Sequence, residues 1–170
     1  MKYIKNEKGS INIWFVVIVF VFLGMAVLVI DFGSLYMNNK NVKEGLNRAV
    51  KAAALAIQED EQLAEGIFTI DPAGAVVNFK QILSKNIGLN EITLEPLSTG
   101  SLVTERPEIK EFIVENSVPA TYYSPALKNA FTFEHPAVLA VIRVKVKGVF
   151  SSRTFTLYKL SSSQLTSIYD

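Results

Sequence analysis

At 170 residues the chain has room for one domain and an appendage, and its apolar fraction of 49% is ordinary for a globular protein. The net charge of +1 is split: residues 1–58 hold seven Lys/Arg against three Asp/Glu, and the remainder holds ten against thirteen, with no dense basic cluster of the kind a nucleic-acid binder carries. The chain has no cysteine, which excludes a disulfide, a thiolate nucleophile and a Cys-type metal site.

Lys2, Lys5 and Lys8 lie in a short basic leader or tail, residues 1–9. Residues 11–30 follow without a charge, and Asn12 is their only strongly polar side chain. Twenty helical residues span roughly 30 Å, the hydrocarbon thickness of a bilayer. A core helix of a soluble protein would show a polar stripe, and none is present. The run is therefore expected to be a transmembrane helix. A secretory leader has a shorter apolar core and a small-x-small cleavage site. Here the run ends in Val29-Ile30-Asp31-Phe32-Gly33, so the helix is expected to be retained. The leading lysines lie closer to the apolar run than Lys40, Lys43 and Arg48 on its far side. This places the amino terminus in the cytoplasm and the rest of the chain outside a single-pass cell-membrane anchor.

No proline occurs before Pro72. Phe32, Leu35, Asn39, Val42, Leu46, Ala49, Ala53 and Ala56 follow a 3–4 spacing, a heptad seam that predicts one helix continuing out of the membrane, residues 10–58 in all. Gly45, Ala49 and Ala53 add a row of small residues that lets another backbone approach closely. Two partners fit that seam: a neighbouring subunit, or the chain's own domain. Residues 66–170 are expected to form a small extracytoplasmic α+β domain. Asp71-Pro72 is a helix start, Val76, Phe79, Ile82 and Leu83 recur at helical spacing, and Gly88 is a stop. Residues 91–97, 109–115, 137–150 and 153–160 read as strands, the last two as a hairpin, with proline-marked loops between. The fold class is α+β: a long amino-terminal membrane helix followed by a mainly antiparallel sheet, pilin-like in outline.

The first third of the chain resembles a known family. Lys8-Gly9-Ser10, the apolar run, Asp31-x-Gly33, Tyr36 and the closing Ala52-Ala53-Ala54-Leu55-Ala56 resemble the Tad (tight adherence) pilus-assembly proteins, TadE/TadG-like, over roughly residues 8–58. The resemblance implies a pilin-like or minor pilin-like envelope protein acting with a type IV-like (Flp) pilus machine. It implies processing by a prepilin peptidase between Gly9 and Ser10, and partners among membrane lipid, copies of itself, other pilin-like subunits and the pilus machinery. The sequence departs from type IV pilins at the fifth residue after that glycine, which is Trp14 and not glutamate. An indole cannot neutralise a terminal ammonium as a carboxylate would, though tryptophan also serves as an interfacial anchor.

Other candidates for chemistry each have a plain structural reading. Asp31 either pairs with a neighbour's cation or is a solvated carboxylate at the membrane edge. Glu59, Asp60, Glu61 and Glu65 lack the pattern of a calcium loop and read as a solvated face. His135 has no nominated nucleophile partner and reads as a surface loop residue. Arg143, Lys145 and Lys147 point to one side of a strand whose other side carries Ile142, Val144 and Val146, which suggests either an anion contact or the exposed, edge-protecting face of a sheet. Tyr122-Tyr123-Ser124-Pro125 reads as a loop. No catalytic or cofactor motif occurs, so the chain is expected to be neither an enzyme nor a metal or cofactor protein. The leading expectation is a membrane-anchored pilin-like assembly protein. The alternative is an unprocessed single-pass anchored binding or sensor module facing the cell envelope.

Overall fold

The computed structural model describes residues 8–57, 69–98, 100–150 and 154–165, with side chains from residue 13 onward. Helix α1, Lys8–Ala54, is one unbroken rod of 47 residues, about 70 Å long. Every side chain from residue 13 to 30 is exposed. From Val42 the rod changes character, and Val42, Leu46, Ala49, Val50 and Ala53 are fully buried. An 18-residue window of the helix reaches a mean hydropathy of 3.2 with none of it buried, so α1 is long and apolar enough to cross a membrane.

The helix stops at Ala54, short of the expected residue 58. The Ala56 carbonyl accepts the Asp71 amide at 2.7 Å, and Ile57 bridges Ile70 across the returning chain, so the backbone leaves the helical ladder to pair elsewhere. Gln58 and the acidic residues Glu59, Asp60, Glu61 and Glu65 lie outside the described residues. Helix α2, Pro72–Ile87, is built as the sequence predicts. The Asp71 carboxylate accepts the Ala73 and Gly74 amides at 3.0 and 2.8 Å, Pro72 opens the first turn, and Gly88 ends the helix at φ 75°.

Three strands form an antiparallel sheet in the order β1 (Glu108–Glu115), β4 (Ala137–Lys147), β5 (Thr154–Gln164). A separate antiparallel hairpin is made of β2 (Ala120–Ser124) and β3 (Asn129–Phe133). The hairpin corrects the expected loop at residues 122–125, since Tyr122, Tyr123 and Ser124 are strand residues. The predicted strand at 91–97 is also corrected. Asn90 Oδ1 accepts the Ile92 and Thr93 amides, Leu94 takes a left-handed φ of 58°, and the segment keeps a single bridge, Leu89 to Pro96.

The strand periodicity sorts the domain into layers. Val138, Ala140, Ile142, Val144 and Val146 of β4 share one core with α1 and α2, joined by Ile109, Phe112 and Val114 of β1. Phe79 of α2 meets Phe112 at a ring-centroid distance of 4.9 Å. On the opposite face, Ala137, Leu139 and Val141 pack with Phe133 under the β2–β3 hairpin. The fold is α+β, with a long apolar amino-terminal helix and a small antiparallel sheet domain. Its main core includes the second half of α1, so the globular unit begins within that helix and not at residue 66.

Candidate membrane-proximal site

The seam closes inside the chain over residues 42–53. Val42, Gly45, Leu46, Ala49 and Ala53 are all buried, and what covers them is α2 and the sheet of the same molecule. Gly45 sits at the tightest point. A Cβ there would come within 2.8 Å of Ile87 Cγ2 and 3.2 Å of the Asn86 Cβ, so the small residue sets the distance between α1 and α2. Arg48 Nη1 donates to Asn86 Oδ1 at 3.1 Å beside this contact. Of the two partners that fit the spacing, the chain's own domain takes this stretch. Ala56 lies beyond the helix end and is half-buried.

The other end of the seam is open. Phe32 is exposed and Leu35 half-buried. Between α1 and the β4–β5 end of the sheet runs an apolar groove of about 330 Å³, lined by Val27, Leu28, Asp31, Phe32, Leu35, Phe150 and Phe155. It is continued by a second of about 290 Å³ that takes in Tyr36, Asn39, Val146 and Leu157. These residues meet because β5 turns Phe155, Leu157 and Lys159 to the same side as Val146, Val144 and Ile142 of its partner strand, which is the helix side.

Asp31 binds to its own domain. Its Oδ1 accepts the Phe150 amide at 2.9 Å, across 119 positions of sequence. Gly148 makes that approach possible, because a Cβ at 148 would stand 2.0 Å from the same oxygen. About two turns further along the helix, Asn38 Nδ2 donates to the Lys147 carbonyl at 3.4 Å. The start of the β4–β5 connection is thereby held to the helix at the point where its apolar run ends. Neither expectation for Asp31, a solvated carboxylate or a link to another subunit, describes this intramolecular hydrogen bond.

The alternating cations of β4 are placed on the face away from the helices; β1 covers the strand only as far as Arg143, so Arg143 is on a central stretch while Lys145 and Lys147 lie where β4 pairs with β5 alone. Arg143 pairs with Glu108 at 2.9 Å and Lys145 with Glu105 at 2.9 Å, while Lys147 is exposed. Lys110 also pairs with Glu108. The Lys110 hydrogen bond, with Arg143 contributing, holds the Glu108 carboxyl below its ordinary range against a smaller opposing desolvation. Lys43 of α1 donates to the Leu160 carbonyl of β5. Burial, and then the neighbouring Lys159 charge, lower its pKa; burial also lowers that of Lys159. Burial and the Glu111 carboxylate raise the Tyr122 hydroxyl.

His135 lies in the bend between β3 and β4, where its backbone amide donates to Gln164 Oε1 at 3.2 Å. Among the described residues no group of three or more His, Asp or Glu side chains converges as metal ligands would. Gly9 and Ser10 belong to the first turn of α1, and residues 1–7 lie outside the described residues. The Asp31–Phe150 contact and the paired Asn116–Ile70 hydrogen bonds were missed by sequence reasoning. Only the Asp-x-Gly at the end of the apolar run hinted at the former, and no local pattern hinted at the latter. No family model, curated protein or solved structure matches this chain.

Proposed function

We propose that this chain is a membrane-anchored, pilin-like or minor pilin-like protein acting in assembly of a type IV-like (Tad/Flp) pilus or a related secretion apparatus. The observation that carries the proposal is the continuity of α1, bare and apolar over residues 13–30 and the spine of an α+β domain over residues 42–53. A domain tethered by a flexible linker could take any attitude to its anchor. A domain packed on the anchor helix itself cannot, and a subunit that must be stacked in register needs that fixed attitude. A bare apolar rod is at home in lipid. It can also exchange lipid contacts for those of like rods at small cost, because lipid tails are as apolar as the side chains they replace. Contacts with copies or other pilin-like subunits are then made by the exposed first half of α1 and by the sheet domain, since the domain itself occupies the seam beyond Val42. The amino terminus faces the cytoplasm, the domain faces outward, and the role is mechanical.

The test is the intact mass of the protein purified from membranes, with and without a co-expressed prepilin peptidase. Loss of residues 1–9 is the expected result. A full-length mass beside an active peptidase overturns processing and moves the reading to an unprocessed anchored binding or sensor module. Trp14, standing where pilins carry a carboxylate, favours that second reading.

A further inference from the structure

Where β4 ends and β5 begins, the described residues expose a run of large apolar side chains. Val149 is 63% exposed, Phe150 59% and Phe155 44%, and Phe150 and Phe155 share a groove with Phe32 of α1, itself 67% exposed. Single exposed apolar residues need no explanation, but a contiguous set does. The set also has a defined height. The Phe150 amide is bonded to Asp31, the first charge after the apolar run, and the groove beside Phe150 reaches Val27 and Leu28, one helical turn closer to the amino terminus. One turn is about 5.4 Å. If residues 11–30 lie in lipid, Phe150 and the groove lie at the depth of their last turn.

The geometry points to a second membrane contact: Val149, Phe150 and Phe155, with Phe32 of α1, insert into the outer headgroup and upper acyl region of a phospholipid bilayer. The inference rests on the reading of α1 as a membrane anchor. Lipid is the occupant because the patch is continuous with the segment that lipid would surround, and because among the described residues no charge other than the hydrogen-bonded Asp31 lines the groove. Interfacial segments bury their apolar faces roughly 5–10 Å into this boundary, which matches one helical turn. The Asp31 carboxylate serves the same end, since a turn amide at that depth needs an acceptor that water no longer reliably supplies. Gly148 admits the carboxylate to the amide. The domain is then held against the membrane at two places, which fixes its tilt as well as its position.

Single-tryptophan reporters test this in the full-length protein, reconstituted in phosphatidylcholine vesicles. Trp14→Phe removes the only native indole. Phe150→Trp or Phe155→Trp then reports the turn, and Val21→Trp reports the middle of the anchor. The expected result is a blue-shifted turn reporter, quenched more by lipids brominated high on the acyl chain than by lipids brominated near its end, with the opposite order for Val21→Trp. Solvent-like, unquenched emission from both turn reporters beside a quenched Val21→Trp overturns the inference and leaves the anchor intact. Blue-shifted but unquenched turn emission also overturns it, because protein and not lipid then covers the patch. Unquenched emission from Val21→Trp defeats the anchor reading and this inference with it.

Discussion

Gly45→Ala should destabilise the domain, although the substitution favours the helix it sits in. In an exposed helix, alanine in place of glycine gains roughly 1 kcal/mol. Here the new methyl would lie 2.8 Å from Ile87 Cγ2 and 3.2 Å from the Asn86 Cβ. Ordinary carbon contacts are about 3.5–4.0 Å. Ile87 is fully buried and cannot swing aside, and the Asn86 Cβ moves only with its backbone, so α2 must shift outward. Adding a methylene to a packed core costs about 1–3 kcal/mol, which leaves a net loss of up to about 2 kcal/mol. Gly45→Leu should go further and detach α2. Native-state hydrogen exchange at the α2 amides of Phe79 and Leu83, in the full chain in micelles, reads the change as faster exchange. Slower exchange in Gly45→Ala, by the roughly five-fold that 1 kcal/mol corresponds to, would refute the close approach. In that case the small-residue row would be free to serve a neighbouring subunit.

The Asn116 carboxamide acts as a strand partner for Ile70, accepting its amide and donating to its carbonyl at 2.9 Å each. Asn116→Ala leaves both backbone groups of a buried residue unpaired and should cost about 2 kcal/mol, read as a lower urea midpoint; an unchanged midpoint would show that water replaces the side chain. Lys43 and Lys159 titrate below the ordinary lysine value in the folded protein, mainly through burial. Between those folded values and 10.5 the unfolded chain binds more protons, so the two lysines should add stability as pH rises through that window and nothing further above it. Comparison with a Lys43→Met, Lys159→Met variant isolates the effect, and a wild-type protein that gains no stability over the variant across the window would contradict it. Lys159→Met alone should raise the Lys43 pKa only in part, as followed by NMR titration, because burial remains.

The fold was legible wherever a local pattern and the tertiary environment asked for the same thing. Asp71-Pro72 and Gly88 bound α2 because caps depend on a few adjacent residues. Alternation in β4 named the helix-facing set because that strand is buried there in either reading. Residues 91–97 failed because Ile92, Thr93 and Leu94 favour a strand while the Asn90 side chain captures the amides that a strand would use. The β2–β3 hairpin failed for the opposite reason. Its five-residue strands are too short to show a period, and they are held by packing against Leu139 and Val141.

The heptad seam exposes a deeper limit. A 3–4 spacing states which face of a helix is covered and is silent on what covers it, since an intramolecular and an intermolecular partner impose the same period. The structure divides the seam between two environments: residues 42–53 meet α2 and the sheet, while Phe32 and Leu35 open on the groove beside Phe150 and Phe155. The division point follows from Asp31. A carboxylate at the end of the apolar run, bonded to an amide 119 residues later, fixes how far the sheet domain can slide along the rod. Had the β4–β5 connection docked one turn further out, Phe150 would lose Val27 and Leu28 and sit beside Leu35 and Tyr36, past the end of the apolar run. One turn further in, the paired charges of Arg143 and Lys145 would approach the apolar zone. The observed register keeps Phe150 and Phe155 level with the end of the apolar run and the ion pairs beyond it, so the position of the domain along the helix is a property of the folded chain itself.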